Sequence, residues 1–375
     1  MRQVTITHPH QLEQRVHLVL EAWELPTYWT PDLNFLVLDG DEVECKGLEK
    51  VAQALPNVLK VRSPDLLPGD VVVPRAATGH IQVLFRENDQ HHGLLLTNRC
   101  NSYCIMCSQP PTKHNDNWLI QEALDVVRHI RKSPASLGLS GGEPLLVGKH
   151  LRTILEEIER THPDTRIEVL TNGRLLGNSN IAQELLEGLK TNVAWLVPLY
   201  GHAHFIHDFV VQSHGAFEET LAGLLNLQQY QQSIQLRIVL VKPVLEVLPE
   251  LCHYIGRNLP FVREVALMAC EPTGFALANR DHCELDLIDW KDSIKSAGKE
   301  LQRHRVPFLL MNTPLCALTP ELRSKAHRSI SDWKQTYADE CNSCSVKAEC
   351  CGLFAWHERG WKPTKIRAIK EETGE

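Results

Sequence analysis

The sequence predicts an α/β fold in which parallel strands alternate with helical crossovers, on the strength of three observations. Six short aliphatic runs of strand length recur between residues 93 and 268. Five amphipathic stretches of helical character separate them. No low-complexity segment or short-period repeat interrupts the alternation.

In chain order, the candidate strands are Gly93–Thr97, Leu137–Leu139, Arg166–Leu170, Val193–Val197, Leu236–Leu240 and Glu264–Met268. The candidate helices between them are Trp118–Lys132, Lys149–Arg160, Ile181–Leu189, Ala216–Gln229 and Val247–Arg257. A helix between consecutive strands implies parallel pairing through right-handed crossovers. That leaves a doubly wound sheet or a barrel, and periodicity alone does not choose. A helix over Asp286–Gln302 and a strand at Pro307–Leu310 follow, and then the alternation gives way to a cysteine-rich module and a polar tail. Upstream, Leu67-Pro68-Gly69-Asp70 turns into a strand at Val71–Val73, and Ile81–Phe85 reads as another. Nothing there carries obvious chemistry, and Cys45 and His80 read as structural or exposed. The expected division is an accessory segment over 1–90, the main α/β domain over 91–305 and a C-terminal module over 306–375.

A chain of 375 residues with 43% hydrophobic and 23% charged residues can build a sizeable core. Its net charge of −7 argues against a broad nucleic-acid footprint. No uncharged apolar run is long enough to span a bilayer, and no secretion signal is evident at the start. The expectation is a cytoplasmic protein with neither nucleic acid nor membrane as a partner.

Twelve cysteines in a reducing compartment point to metal ligands, inert core thiols or catalysts rather than disulfides. Cys45, Cys252, Cys270, Cys283 and Cys316 are dispersed, and a dispersed cysteine is usually a small buried hydrophobe. Three others cluster at Cys100, Cys104 and Cys107, just beyond the first candidate strand. Three thiolates on one loop can face one centre. A zinc site would want a fourth protein ligand nearby, and the nearest candidate, His114, lies beyond Pro110-Pro111. A 4Fe-4S cluster held by three cysteines instead of the usual four keeps one iron open for another molecule. A zinc loop and three incidental thiols remain the alternatives.

Cys-x3-Cys-x2-Cys after the first strand resembles the signature of the radical S-adenosylmethionine (SAM) superfamily. That resemblance implies a partial (βα)6 barrel with cluster and SAM at the carboxyl ends of its strands, and a 5′-deoxyadenosyl radical formed by reductive cleavage of SAM. It implies that Met106 packs on adenine where relatives often carry an aromatic residue. Gly141-Gly142-Glu143, after the second strand, resembles the superfamily's Gly-Gly-Glu motif, with the carboxylate set for the SAM ammonium. Thr171-Asn172 ends the third strand where the ribose is contacted, although an Asn-Gly turn explains Asn172-Gly173 equally well. Arg237, on the fifth strand, is either a SAM-carboxylate contact or an ion-paired surface arginine. Pro198 and Tyr200 depart from the usual fourth-strand residues and take no SAM role. His207 reads as a structural hydrogen-bonder.

The C-terminal module offers Cys341, Cys344 and Cys350 in Cys-x2-Cys-x5-Cys spacing, with Cys316 after a Pro-Leu turn as a plausible fourth ligand. Four cysteines fit a closed second 4Fe-4S cluster or a structural zinc, and Cys351 is either a spare thiol or an alternative to Cys350, which completes the x5 spacing. The arrangement resembles the auxiliary modules, SPASM or twitch, that follow radical SAM barrels in peptide-modifying enzymes. Further phrases are Ile81–Arg86 leading into His92, Thr97–Asn101 through Cys107–Pro111, Val197–Tyr200, Pro314–Cys316 and Ser329–Trp333. Together they resemble the maturases of the His-Xaa-Ser peptide system, the HxsC type. That implies a ribosomally made precursor peptide with His-Xaa-Ser repeats as substrate, companion maturation proteins, and an electron donor such as flavodoxin or ferredoxin. The rivals are a radical SAM enzyme acting on a small molecule or RNA, and a non-catalytic iron–sulfur scaffold.

Overall fold

Aliphatic runs bounded by helices become buried parallel strands, and the chain folds the region beyond residue 93 in that way. A computed structural model of the protein describes residues 2–5, 14–38, 55–75, 79–189, 192–356 and 365–370; Cys45 lies outside them. It divides into two compact units. The first is Met1–Leu96, Asn117–Leu139 and His150–Ile167, and the second is Thr97–Asp116, Ser140–Lys149 and Glu168–Glu375.

The first unit contains a six-stranded sheet built from β1 (Arg2–Thr5), β2 (His17–Leu20), β3 (Phe35–Leu38), β4 (Val58–Val61), β5 (Val71–Arg75) and β6 (His80–Phe85). Their order is β1-β6-β5-β2-β3-β4. The pairs β1-β6, β5-β6 and β2-β5 are antiparallel, whereas β2-β3 and β3-β4 are parallel. Val19, Leu36, Val61, Val72, Ile81 and Val83 pack as its core. Strands β7 (Gly93–Leu95) and β8 (Ser136–Ser140) are neighbours in a second sheet.

This unit also takes in the helix Trp118–His129 that follows the cysteine loop. The backbone N–H of Asn34 donates to Nε2 of His129 at 3.1 Å, and Arg75 pairs with Glu122 at 2.7 Å while its guanidinium lies over Trp118. Just past the helix, Arg131 donates to Glu24 at 2.5 Å and to Glu87 at 2.7 Å. Sequence periodicity could not show these ties, which join residues 40 or more positions apart.

Beyond β8 the strands run β9 (Arg166–Leu170), β10 (Val193–Pro198), β11 (Ser233–Leu240), β12 (Glu264–Ala269), β13 (Phe308–Met311) and β14 (Ala326–His327). Each neighbours the next in chain order. The registers Val197↔Leu236, Arg237↔Ala266 and Leu267↔Leu310 are parallel. An order that never reverses is that of a barrel-type winding; a doubly wound sheet reverses at its switch point. The helices Ser179–Leu186, Ala216–Gln229, Leu248–Asn258 and Lys291–Arg303 form the crossovers. Strand β9 and the helix Ala216–Gln229 occupy the predicted ranges, and β11 begins three residues before the predicted start. Strands β13 and β14 extend the parallel array past residue 305, so the sheet continues into the stretch expected to open the C-terminal module. A short antiparallel pair, β15 (Gln335–Thr336) with β16 (Leu353–Phe354), closes that module. Among the described residues, no helix is long and apolar enough to cross a membrane.

The side chains of Arg131 and Glu24 are 12% and 9% exposed. Removing one partner of such a buried pair strands the other charge, at a cost of about 3 kcal/mol. Arg131→Met should therefore lower the unfolding free energy by about that amount, read from urea midpoints at neutral pH.

Candidate active site and a second cysteine centre

The loop from Thr97 to Asp116 carries Cys100, Cys104 and Cys107, all partly exposed, and it is anchored from several directions. At its base, Asp116 accepts from the Thr97 hydroxyl at 2.9 Å, from the Asn98 N–H, and from Arg99 at 3.2 Å. Burial alone would raise the Asp116 pKa, but these donors outweigh it and hold the carboxyl below its usual range. In the middle of the loop, the N–H groups of Tyr103 and Ile105 donate to the carbonyls of Val211 and Val210, each at 3.0 Å. These carbonyls end the helix His204–Val211, where no intrahelical donor remains for them. At the far side, Phe275 N–H donates to the Cys107 carbonyl at 2.8 Å and the Asn279 amide to that of Ile105 at 3.0 Å.

Burial pushes the Cys100 thiol up to about 11 and the Cys104 thiol up to about 12, and raises Cys107 as well. Cys107 adds to the rise at both Cys100 and Cys104, so the sulfurs lie within electrostatic reach of one another. Among the described residues, the only three ligating atoms within 4.8 Å of one another belong to a histidine–glutamate cluster elsewhere. Neither cysteine set therefore has the sulfur spacing of about 3.8 Å that one tetrahedral zinc would impose. A multi-iron cluster binds each thiolate to a separate iron and spreads its ligands wider, so the donor set fits a 4Fe-4S group.

Gly141 and Gly142 do approach a backbone closely, and it is that of the cysteine loop. A Cβ on Gly141 would lie 2.3 Å from the Thr97 carbonyl oxygen, and one on Gly142 would lie 2.2 Å from that of Arg99. The N–H groups of Gly142 and Glu143 donate to these same two carbonyls at 2.7 and 2.8 Å. Glu143 is fully buried. Its carboxylate accepts from Leu145 N–H at 2.9 Å, the Thr171 hydroxyl at 2.5 Å and Asn172 N–H at 2.7 Å. The sequence aimed this carboxylate at a ligand ammonium; in the structure the chain itself supplies three donors to it. Burial raises its pKa, against the pull of those donors.

Thr171 and Asn172 thus take part in the same network, and the Asn172 amide also reaches Asn101 at 2.6 Å. Arg174, which sequence reasoning passed over, donates to the Asn101 carbonyl at 2.5 Å, to Ser102 at 2.9 Å and to Glu219 at 2.6 Å. Met106 is 6% exposed, so its side chain is packed within the protein. Arg237 donates to Gln235 at 3.0 Å. Tyr200, assigned no role from sequence, is buried, and its hydroxyl is raised by that burial and then by Cys104, Cys107 and Cys270 nearby. Cys270 hydrogen-bonds Cys283, whose sulfur lies 3.7 Å from the Ile105 carbonyl.

In the C-terminal module, Cys316, Cys341, Cys344 and Cys350 line one cavity with Pro314, Tyr337 and Ile369. Cys351 packs instead with Ile330 and Phe354. Hydrogen bonding with Cys351 lowers Cys350 to about 6, and the Leu315 and Gly352 N–H groups, each 3.4 Å from its sulfur, pull the same way. Cys344 accepts from Ile369 N–H at 3.4 Å.

Tyr200 N–H donates to Nδ1 of buried His207 at 3.2 Å, as a structural hydrogen-bonder should accept. Burial lowers the His207 pKa to about 4. Between pH 6.5 and 4 the unfolded chain therefore holds a proton that the folded chain does not, and stability falls as pH falls. His207→Gln should remove this contribution. Its urea-unfolding free energy should drop less than that of the wild type between pH 7 and pH 4, by about 3 kcal/mol.

Residues 94–254 match the family model for the Radical SAM superfamily. A curated relative, a probable GTP 3′,8-cyclase from Methanocella arvoryzae, is 26% identical over 223 residues, which cover 57% of this chain and 68% of that protein. Among solved structures, Streptococcus suis SuiB bound to S-adenosylmethionine superposes with a TM-score of 0.47 at 14% identity over 58% of this chain. AnSMEcpe with bound AdoMet and the Cp18Cys peptide gives 0.45 at 17% identity, also over 58% of this chain. This chain spans 49% of the SuiB structure's length and 62% of the anSMEcpe structure's. The match to the Radical SAM superfamily model covers the cysteine loop and strands β8 to β11 beyond it.

Proposed function

We propose that Cys100, Cys104 and Cys107 hold the SAM-binding 4Fe-4S cluster of a peptide maturase, and that Cys316, Cys341, Cys344 and Cys350 hold a second, auxiliary 4Fe-4S cluster. The observation that carries the reading is the three-thiol loop, fixed at both ends and in its middle by hydrogen bonds. With cluster and SAM bound, the site supplies a reductively generated 5′-deoxyadenosyl radical for hydrogen abstraction from a substrate. The protein's own work is positioning. Asp116, Arg174 and the carbonyls of Val210 and Val211 hold the thiols in place, and the Gly141–Glu143 turn fixes the backbone beneath them. Burial at Cys104 and Tyr200 keeps water away from the reacting region.

The substrate reading, a ribosomally made peptide with His-Xaa-Ser repeats, rests on the sequence phrases around the cysteine loop and the Pro314–Trp333 stretch. The four-thiol cavity of the C-terminal module supports it, since auxiliary clusters accompany such peptide chemistry. Companion maturation proteins and a flavodoxin- or ferredoxin-type electron donor belong to the same reading. The match to a probable GTP 3′,8-cyclase favours a second reading, a nucleotide substrate. Anaerobic incubation with SAM, reductant and either a His-Xaa-Ser peptide or GTP separates the two. A mass change on the peptide supports the first reading, and conversion of GTP alone replaces it with the second.

Replacing Cys100, Cys104 and Cys107 together by Ala should bring dithionite-driven 5′-deoxyadenosine production to background. Iron content should fall by about half, as loss of one cubane of two requires. Continued SAM cleavage by the triple variant would sink the assignment. At the second centre, Cys350→Ala should lose the iron signal of the module while Cys351→Ala keeps it, because Cys350 lines the cavity and Cys351 packs with Ile330 and Phe354.

A further inference from the structure

One group of ligating side chains has no part in the chemistry above. His253 lies on the helix Leu248–Asn258, Glu300 on the helix Lys291–Arg303, and His304 caps the end of that second helix. Nδ1 of His253 is 3.0 Å from Oε2 of Glu300, and the rings of His253 and His304 meet edge-on with centroids 5.3 Å apart. One ligating atom from each of the three residues lies within 4.8 Å of the other two.

A surface histidine–glutamate hydrogen bond would explain the first contact but not two other features. Nε2 of His304 is buried without a hydrogen-bond partner, a cost that proteins rarely leave unmet. The His304 ring also sits against bare backbone of the facing helix. A Cβ on Gly256 would lie 2.4 Å from its Cγ, so the imidazole is there because Gly256 is a glycine. Gly256 lies in the last turn of its helix, where it makes room for a ring with an unused nitrogen. Electrostatics favour a cation at the same place, since the C-terminal end of a helix carries partial negative charge and Glu300 adds a full one.

We propose that His253, Glu300 and His304 form a binding site for a divalent transition ion of the zinc class, separate from both cysteine centres. Two imidazoles and one carboxylate are a ligand set that zinc accepts, with water completing the tetrahedron. The His253 side chain is 46% exposed, so solvent reaches the ion and can supply that water. The helix Lys291–Arg303 leads into the start of β13, so the site lies toward the amino ends of the strands. On barrels that face serves stability rather than catalysis. The ion would staple two crossover helices together.

The test uses protein with its iron–sulfur clusters assembled anaerobically, washed with EDTA and titrated with Zn²⁺ against a chromophoric zinc indicator. The wild type should take up one more equivalent of zinc than His253→Gln or Glu300→Gln, or bind it at least about tenfold more tightly. Zinc should raise the melting temperature of the wild type and leave that of His253→Gln unchanged. Iron content and 5′-deoxyadenosine production should be the same in all three proteins. The His304 ring packs on Gly256, so His304→Gln also disturbs the helix contact; the exposed His253→Gln decides the question without it. Equal zinc uptake by wild type and His253→Gln overturns the site.

Discussion

The buried carboxylate of Glu143 is the point on which the candidate site hangs. Its side chain joins Leu145, Thr171 and Asn172, and its own N–H joins Arg99 in the cysteine loop. One residue thus connects the turn after the second strand, the end of the third strand and the loop beyond the first. A carboxylate taken fully out of water is costly unless donors replace the lost hydration, and three do so here. Deleting the carboxylate would leave those donors buried and unpaired, so its loss would be felt first as a shift of the cysteine loop. Effects on any bound cofactor would follow from that shift.

The two cysteine sets use the same residue type under different electrostatics. At the loop, burial raises all three thiols, and positive charge is what would make such groups thiolates. In the C-terminal set Cys350 is lowered to about 6, by Cys351 first and then by the N–H groups of Leu315 and Gly352, whereas burial raises Cys316 and Cys341 as it raises the loop thiols. Hydrogen bonds to ligand sulfurs are one of the levers that set cluster potential.

Much of this was legible in the sequence because it is local. Strand β9 and the helix Ala216–Gln229 follow from periodicity over their own residues, and the cysteine triplet from spacing on one loop. The other strands of the N-terminal sheet were not legible, because β1 to β4 are four residues each and too short to show a period. The close approach of Gly141 and Gly142 to the carbonyls of Thr97 and Arg99 could be shown only by the fold. Arg174, Asp116 and Asn279 were missed for the same reason. Each acts on the loop across 17 or more residues through hydrogen bonds that carry no sequence signature.

The anchoring pattern also explains why the loop can present reactive thiols without being a rigid element itself. A loop of this length has no ladder to satisfy its backbone, so each N–H and carbonyl must find a partner elsewhere. Here the partners are groups that neighbouring elements leave over: the last carbonyls of the helix His204–Val211, the N–H groups of the glycine turn, and the N–H of Phe275. The cysteine sulfurs are thereby left as the part of the loop not spent on holding it. The barrel-type winding supplies such leftovers at the carboxyl ends of its strands, where loops and helix termini gather. Stability and chemistry are kept apart by that arrangement, because substituting a thiol leaves the backbone anchors of the loop in place.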